Sequence, residues 1–437
     1  MEVLKIKIIK KLEKIPLIGV HFLYIIRILK LYFYYKPIFF FNSLINSQED
    51  IFKIHWIDPH SIEFISAGSF DRRTHIGTSK KGNWDLSKKK FNDISAYRGL
   101  NERFEEGLAW KKTKYYEHAT ARLRSGKLAW MCKNKEEFEQ RLKNVDTLFR
   151  DIKENGFKAD PEEMIDVYSY KDKTLTKASQ AHNFLDYITV DISRAGDPLF
   201  VDGGHRLTIA KILDLDKIPV IVRVRHKRWV KFKNELKGYA KTQRGERLYQ
   251  KAYHFDLKDI PHAYDEKRIN LIKESTSLTQ GTALDIGAYF GLNCHELEKA
   301  GFECTALELN ILRSQFMEKL RNANKDTFKT VNQSIFDFKP DQNLSFNLVI
   351  ALYIFHHFLK TKVDYEKFKS FLQRLDCKEM YLGVHNPEEF AEKFGDDVYK
   401  NYSPEEFSDF ILNNSCLEKK ELLKRFNNGR CIYKLHQ

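Results

Sequence analysis

From residue 283 onward the chain alternates short apolar runs with segments of helical periodicity, and this constrains the fold more than any other feature. Strands are expected at 283–286, 303–308, 328–332, 346–352 and 379–384, with helices at 292–300, 311–323 and 364–375. Such alternation calls for βαβ units, hence a mostly parallel sheet flanked by helices. The first of these strands runs directly into a glycine turn and a helix, as Asp285-Ile286-Gly287-Ala288-Tyr289-Phe290-Gly291. Gly287 lets backbone pass close to a ligand, and Gly291 permits tight entry into the helix.

That pattern alone is weak, because many nucleotide-binding folds share it. The next expected strand raises it: Cys304-Thr305-Ala306-Leu307-Glu308 ends in a carboxylate, which can accept hydrogen bonds from both hydroxyls of a ribose. On these residues the segment resembles the class I (Rossmann-like) methyltransferase family. The resemblance covers residues 281–437. It implies S-adenosylmethionine as cofactor, held by Asp285, Gly287, Ala288, Tyr289, Gly291 and Glu308, with Ser334 and Ile335 beside the adenine. The family's middle glycine is Tyr289 here.

The strand at 346–352 ends in Tyr353-Ile354-Phe355-His356-His357-Phe358, similar to the fourth-strand region of many small-molecule methyltransferases. Methyl transfer to oxygen or nitrogen needs a proton removed, and imidazole titrates in the useful range. His356 and His357 are therefore the candidate catalytic residues, with His385 a weaker one; a metal ligand or packed rings are the other readings. No metal is expected. The Asn/Asp-Pro-Pro-aromatic motif of base- and glutamine-directed enzymes and the Pro-Cys motif of cytosine-C5 enzymes are both missing, which points away from base methylation.

The sharpest segment of the amino-terminal half is Asp202-Gly203-Gly204-His205-Arg206, between a short strand at 198–201 and a helix expected at 207–215. Two glycines expose backbone N–H groups at a helix start, and Arg206 adds a forked cation. With Ile218-Pro219-Val220 beyond the helix, the segment resembles the ParB/sulfiredoxin superfamily. This resemblance implies an α+β domain that binds a phosphate or a nucleotide (ATP, ADP or CTP) through Asp202, Gly203, Gly204, His205 and Arg206. Gly204 stands where sulfiredoxins carry their cysteine, so that reductase chemistry is not expected. The competing reading is an Asp-Gly-Gly turn with Arg206 in an ion pair. Upstream, residues 66–85 read as loop, and helices are expected at 91–107, 113–125 and 135–155.

Residues 1–46 carry eight Lys or Arg between aromatic runs, too interrupted for a spanning helix and without a small-residue cleavage site. They suit either an anionic membrane surface or packing on the next domain. The net charge of +14 favours anionic partners, although the Lys and Arg are spread rather than gathered on one face, so nucleic acid is the less favoured partner. No two of the six cysteines stand two residues apart, which fits reduced thiols in a cytoplasmic protein, peripheral to the membrane if the amino-terminal segment binds there.

The expected architecture is thus residues 1–46 as a basic hydrophobic segment, 47–230 as a ParB/sulfiredoxin-like domain with a helical insertion, 231–280 as a helical connector and 281–437 as the methyltransferase domain. The leading functional expectation is methylation of a small or membrane-associated acceptor such as a glycan or lipid headgroup. The alternatives are a ParB-like phosphotransferase, or a nucleotide- or DNA-binding protein with an inactive methyltransferase fold.

Overall fold

The structure, a computed structural model, describes residues 53–70, 75–130, 132–157, 187–339, 342–394 and 398–437. The expectations for residues 1–46 lie outside the described residues. The chain divides into two compact units, Met1–Phe232 and Lys233–Gln437.

The first unit contains β1 (His55–Ile57), β2 (Thr78–Lys80), α1 (Ser95–Phe104), α2 (Lys114–Arg124), α3 (Lys135–Asn155), β3 (Ile188–Ile192), β4 (Pro198–Asp202), α4 (Gly204–Ile212) and β5 (Ile218–His226). All nine residues of β5 are buried, as its apolar β-branched composition requires of a central strand. β5 lies parallel to β3 on one side; β1 (antiparallel) and β2 (parallel) pair with successive parts of its other side. β4 lies antiparallel to β3. Thr113 and Asn134 cap α2 and α3 by accepting from the backbone of Tyr116 and Glu137, so both helices start where expected. Leu100, Val145, Leu148 and Ile152 bury against Ile209 of α4.

Two expectations for this unit need correction. The 66–85 loop contains β2, whose Thr-Ser-Lys has no alternation of its own and is specified by pairing with Val224, Arg225 and His226. The helix expected from residue 207 begins at Gly204, because Gly203 takes a left-handed conformation (φ 89°) and serves as its N-cap.

The division between units falls within α5 (Lys227–Thr242). The second unit continues with β6 (Leu248–Gln250), β7 (His262–Tyr264), α6 (Lys267–Ser275), β8 (Gly281–Ile286), α7 (Leu292–Lys299), β9 (Phe302–Leu307) and α8 (Ile311–Asn324). It ends with β10 (Lys329–Val331), β11 (Leu344–Leu352), α9 (Lys362–Arg374), β12 (Leu375–Val384), α10 (Pro387–Phe394), α11 (Pro404–Asn413), β13 (Lys419–Arg425) and β14 (Cys431–His436). The 231–280 stretch, read as helical, holds a two-stranded parallel pair, β6–β7, between its helices.

The large sheet has the order β10-β9-β8-β11-β12-β14-β13. Its first five strands are parallel, while β14 runs antiparallel to β12 and β13 antiparallel to β14. In units of this sheet the order is 3-2-1-4-5, as in doubly wound dinucleotide folds; the antiparallel pair replaces their sixth parallel strand. Alternation along the strands separates two cores. Leu284, Ile286, Val349 and Ala351 pack on Phe368 and Phe371 of α9 and Phe407 of α11. Ala283, Leu348 and Ile350 pack on Ile272 of α6, Leu297 of α7 and Met317 of α8. The strand order reverses between β8 and β11, so a crevice opens there at the carboxyl ends of the strands.

Candidate cofactor site in the second unit

The turn after β8 is held by β9: the Gly287 and Ala288 amides both donate to the Leu307 carbonyl, at 2.8 and 2.9 Å. Gly287 has φ 74°, and a Cβ there would meet the Ile354 side chain at 2.9 Å, so glycine is required twice over. Tyr289 also adopts a left-handed backbone (φ 56°), the conformation a glycine would take at no steric cost. Its ring is buried beside Phe290 at a 4.1 Å centroid distance, and its hydroxyl accepts from the Tyr249 amide at 3.2 Å. The Arg313 guanidinium lies 5.0 Å from that ring and donates through Nε to the Tyr239 hydroxyl. The departure from the family pattern therefore keeps the turn geometry and fills the added volume with packed aromatic rings.

Glu308 follows β9 and is buried. The Tyr289 amide donates to its Oε2 at 3.0 Å and the Asn310 amide to its Oε1 at 2.8 Å. Burial raises its pKa, against the pull of the Asn310 amide and Arg313. Asp285 is buried as well; Asn293 donates to both of its oxygens at 3.2 Å. Burial pushes the Asp285 carboxyl up to about 7, with the nearby Glu308 charge adding to the rise. The two acids thus lie at the mouth of the crevice with one glycine turn between them.

Of the other expected contacts, Ala288 is fully buried, and Ile335 places its side chain in the core while Ser334 accepts the Phe336 amide in the same turn. His356 and His357 lie in a short 3-10 helix, Phe355–Leu359, right after β11. His356 is buried, with ring centroids 4.2 Å from His357 and 4.3 Å from His385; His357 is half-buried. His385 Nδ1 lies 3.1 Å from a Glu389 oxygen. All three candidate histidines are thus gathered at the carboxyl ends of β11 and β12. Among the described residues, no group of three or more His, Cys, Asp or Glu is arranged to hold a metal ion.

Sequence reasoning missed the residues that close the crevice. Tyr249, Gln250, Tyr264 and Arg268 come from the β6–β7 pair and α6, and they line a cavity with Asp285, Gly287 and Asn293. Its volume is about 30 Å³, room for a single water and far below a cofactor pocket of about 300 Å³ or more. The tyrosines of that charged stretch were the available signal.

In the first unit, Gly203 is the demanding glycine: a Cβ there would meet Ile188 Cα at 3.0 Å in a left-handed backbone. Gly204 is not; it is already helical, and a Cβ would find only ordinary contacts at 3.5 Å. Asp202 Oδ1 accepts the Gly203 amide at 2.7 Å, so a side-chain carboxylate already engages one of the two glycine amides. His205 is buried and hydrogen-bonded to the Tyr115 hydroxyl at 2.7 Å. Burial, with Arg141 and Arg206 nearby, pushes its pKa down to about 3. A neutral, buried ring of this kind cannot move protons near neutral pH, which leaves the amides and half-buried Arg206 as the parts of the turn suited to an anion.

No family model and no curated protein matches this chain. Among solved structures it is similar to the bifunctional kinase-methyltransferase WbdD, at 21% identity over 44% of each chain with a TM-score of 0.37 in one crystal form. It is also similar to the N-methyltransferase NodS from Bradyrhizobium japonicum WM9 (12% identity, 39% of this chain and 94% of that one, TM-score 0.31) and to a protein from Pyrococcus horikoshii OT3 (12%, 46% and 98%, TM-score 0.34). The chain thus spans less than half the length of WbdD, and at these TM-scores the fold assignment rests on the strand order itself. Among the described residues, no helix is long and apolar enough to cross a membrane.

Proposed function

We propose that the second unit is an S-adenosylmethionine-dependent methyltransferase acting on a small acceptor. The observation that carries this reading is Glu308: a buried carboxylate at the tip of the second strand, fixed by two backbone amides beside a turn in which Gly287 has no room for a Cβ. The inserted antiparallel strand argues against a plain nicotinamide-binding sheet. The residues fit the cofactor. Glu308 holds the ribose, the 287–291 turn admits the backbone-close portion, and Asp285 faces the cationic methionyl end. Gln250 Oε1, buried and without a hydrogen-bond partner among the described residues, supplies a further acceptor there. Bound S-adenosylmethionine supplies an electrophilic methyl group. The chain excludes water with the Tyr249 and Tyr264 rings, and half-buried His357 takes the proton released by the acceptor.

Calorimetry with S-adenosylmethionine tests this directly, and pH supplies a signature. A buried acid with a raised pKa keeps a proton that the unfolded chain releases. Between the ordinary Asp value of about 4 and the folded value of about 7, the stability of the ligand-free protein therefore falls as pH rises. A cationic ligand prefers ionised Asp285. Affinity should thus rise by about tenfold or more between about pH 5.5 and pH 8, then level off. No binding at any pH sinks the assignment, and pH-independent binding removes Asp285 from the site.

For the first unit we propose a ParB/sulfiredoxin-like domain whose Gly203–Gly204 turn and Arg206 hold the phosphate of a nucleotide. Thermal shift with ATP, ADP and CTP should raise the melting temperature of the wild type. Gly204→Ala should leave both stability and the shift nearly intact, whereas Gly203→Ala should destabilise by about 1–3 kcal/mol, the cost of forcing a side chain into this backbone. No shift with any nucleotide reduces the turn to a structural element. The proposed role of residues 1–46 is contact with an anionic membrane surface, where the acceptor would be presented.

A further inference from the structure

The carboxyl end of the sheet gathers two arginines among tyrosines, and they are not in the same electrostatic state. Arg430, just before β14, donates through Nε to Glu389 at 2.8 Å and pairs with it through a second nitrogen; its other nitrogen donates to the Tyr264 hydroxyl at 2.8 Å. Its charge is balanced. Arg268 of α6 is half-buried in the same cluster. Its guanidinium stacks 3.3 Å from the Tyr264 ring centroid and 4.5 Å from that of Tyr353, and it donates to the Tyr249 hydroxyl at 3.2 Å. That is its one hydrogen bond, and it has no ion-pair partner among the described residues. Buried Arg223 of the first unit, by contrast, is paired with a carboxylate, Asp191.

Tyr353 adds a second, independent observation. It follows β11 directly, is buried, and holds a left-handed backbone (φ 57°). Its hydroxyl has no hydrogen-bond partner among the described residues. A buried hydroxyl costs free energy unless something satisfies it, and non-glycine backbone strain persists where function or packing demands it. Its ring lies 5.2 Å from that of His385, so it faces the histidine cluster as well as Arg268.

We propose that Arg268, together with the Tyr353 hydroxyl, receives an anionic group, a phosphate or a carboxylate, carried by the methyl acceptor; this rests on the methyltransferase reading. A guanidinium with free donors in a partly desolvated aromatic setting is suited to forked recognition of either anion. The aromatic faces fix its plane, so the fork is pre-organised. The acids around the site are engaged: Asp265 and Asp285 line the same cavity, but Asp265 pairs with Lys267 and Asp285 accepts from Asn293, and Glu389 is held by Arg430. The placement beside Gly287, His385 and the histidine pair puts the anion at the switch point, on the side where the proton acceptor waits.

The test uses the full chain saturated with S-adenosylhomocysteine, titrated calorimetrically with inorganic phosphate and, separately, with acetate. One of the two should bind saturably, and which one does tells phosphate from carboxylate. Arg268→Gln should weaken it by about tenfold or more and Arg268→Lys by less, because lysine keeps the charge and loses the fork. Tyr353→Phe should weaken it about threefold or more with the fold intact by circular dichroism. S-adenosylhomocysteine affinity should fall less than anion affinity in all three variants. Absence of saturable anion binding overturns the proposal. So does a large loss of S-adenosylhomocysteine affinity in Arg268→Gln, which would assign the arginine to the cofactor's own carboxylate. If S-adenosylhomocysteine fails to bind the wild type, the methyltransferase reading fails by itself, and the same titrations without it decide whether Arg268 is an anion site.

Discussion

Asp191→Ala is expected to lower the stability of the first unit by about 3–5 kcal/mol, the cost of leaving a buried cation without its partner. Asp191 is fully buried in β3, and Arg223 of β5 meets it with two nitrogens, at 2.9 and 2.5 Å. The same carboxylate accepts the Val224 amide at 3.1 Å and the Ser66 hydroxyl at 2.6 Å. Arg223 spends its remaining donors on the Phe70 and Gly68 carbonyls, so one pair ties two central strands to the 66–70 segment. Truncating the aspartate leaves Arg223, the Val224 amide and the Ser66 hydroxyl without their carboxylate at once. Replacing both members, as Asp191→Leu with Arg223→Met, should restore much of the loss, since a buried ion pair is close to neutral against apolar residues of similar volume. Chemical denaturation of the two variants separates the cases: a double variant as unstable as the single one would mean that the anchoring of 66–70, and not the stranded charge, dominates.

Glu308→Ala is expected to weaken S-adenosylmethionine binding by about ten- to a hundredfold, from the loss of hydrogen bonds to a charged group worth about 1.5–3 kcal/mol. The effect has two parts in this chain, because the carboxylate also holds the Tyr289 and Asn310 amides. Alanine therefore loosens the turn in addition to losing the ribose contact. Glu308→Gln keeps the shape and one acceptor oxygen, so it should fall between the wild type and alanine. Equal affinity in all three proteins, measured by calorimetry with melting curves as a control on folding, would place the ribose elsewhere.

The division of labour at this site has a physical origin. Local sequence carries what local geometry dictates. The run from Ala283 to Gly291 could be read as strand, turn and helix because buried strands are apolar and only glycine tolerates certain turns. The acid after the next strand could be placed because strand and helix lengths set its position. The helix at 135–155 was legible to the residue, through its dense alternation of charges. Tyr289 could be seen to depart from the family, but not that its backbone would still adopt the left-handed turn, since packing against Phe290 and Tyr249 offsets that strain.

What the tertiary structure alone decided depends on pairing across long separations. β2 carries no alternation and exists through β5. The β13–β14 hairpin was not anticipated, because Lys419–Arg425 is a largely exposed edge strand whose lysines and arginines hide its register. Arg268 and Arg430 stand far apart in sequence, and either one reads as ordinary surface charge; the fold brings both onto the tyrosines and gives a carboxylate to Arg430 only. His205 shows the reverse. Its place in the Gly-Gly turn suggests a contact with phosphate, but the fold buries it against Tyr115, where burial lowers its pKa. Sequence thus determined the order of the elements from β8 to β12 and the glycine turns, which follow from steric rules within a few residues. Which charges are paired, and which titratable groups face a ligand, follows from distances that only the folded chain creates.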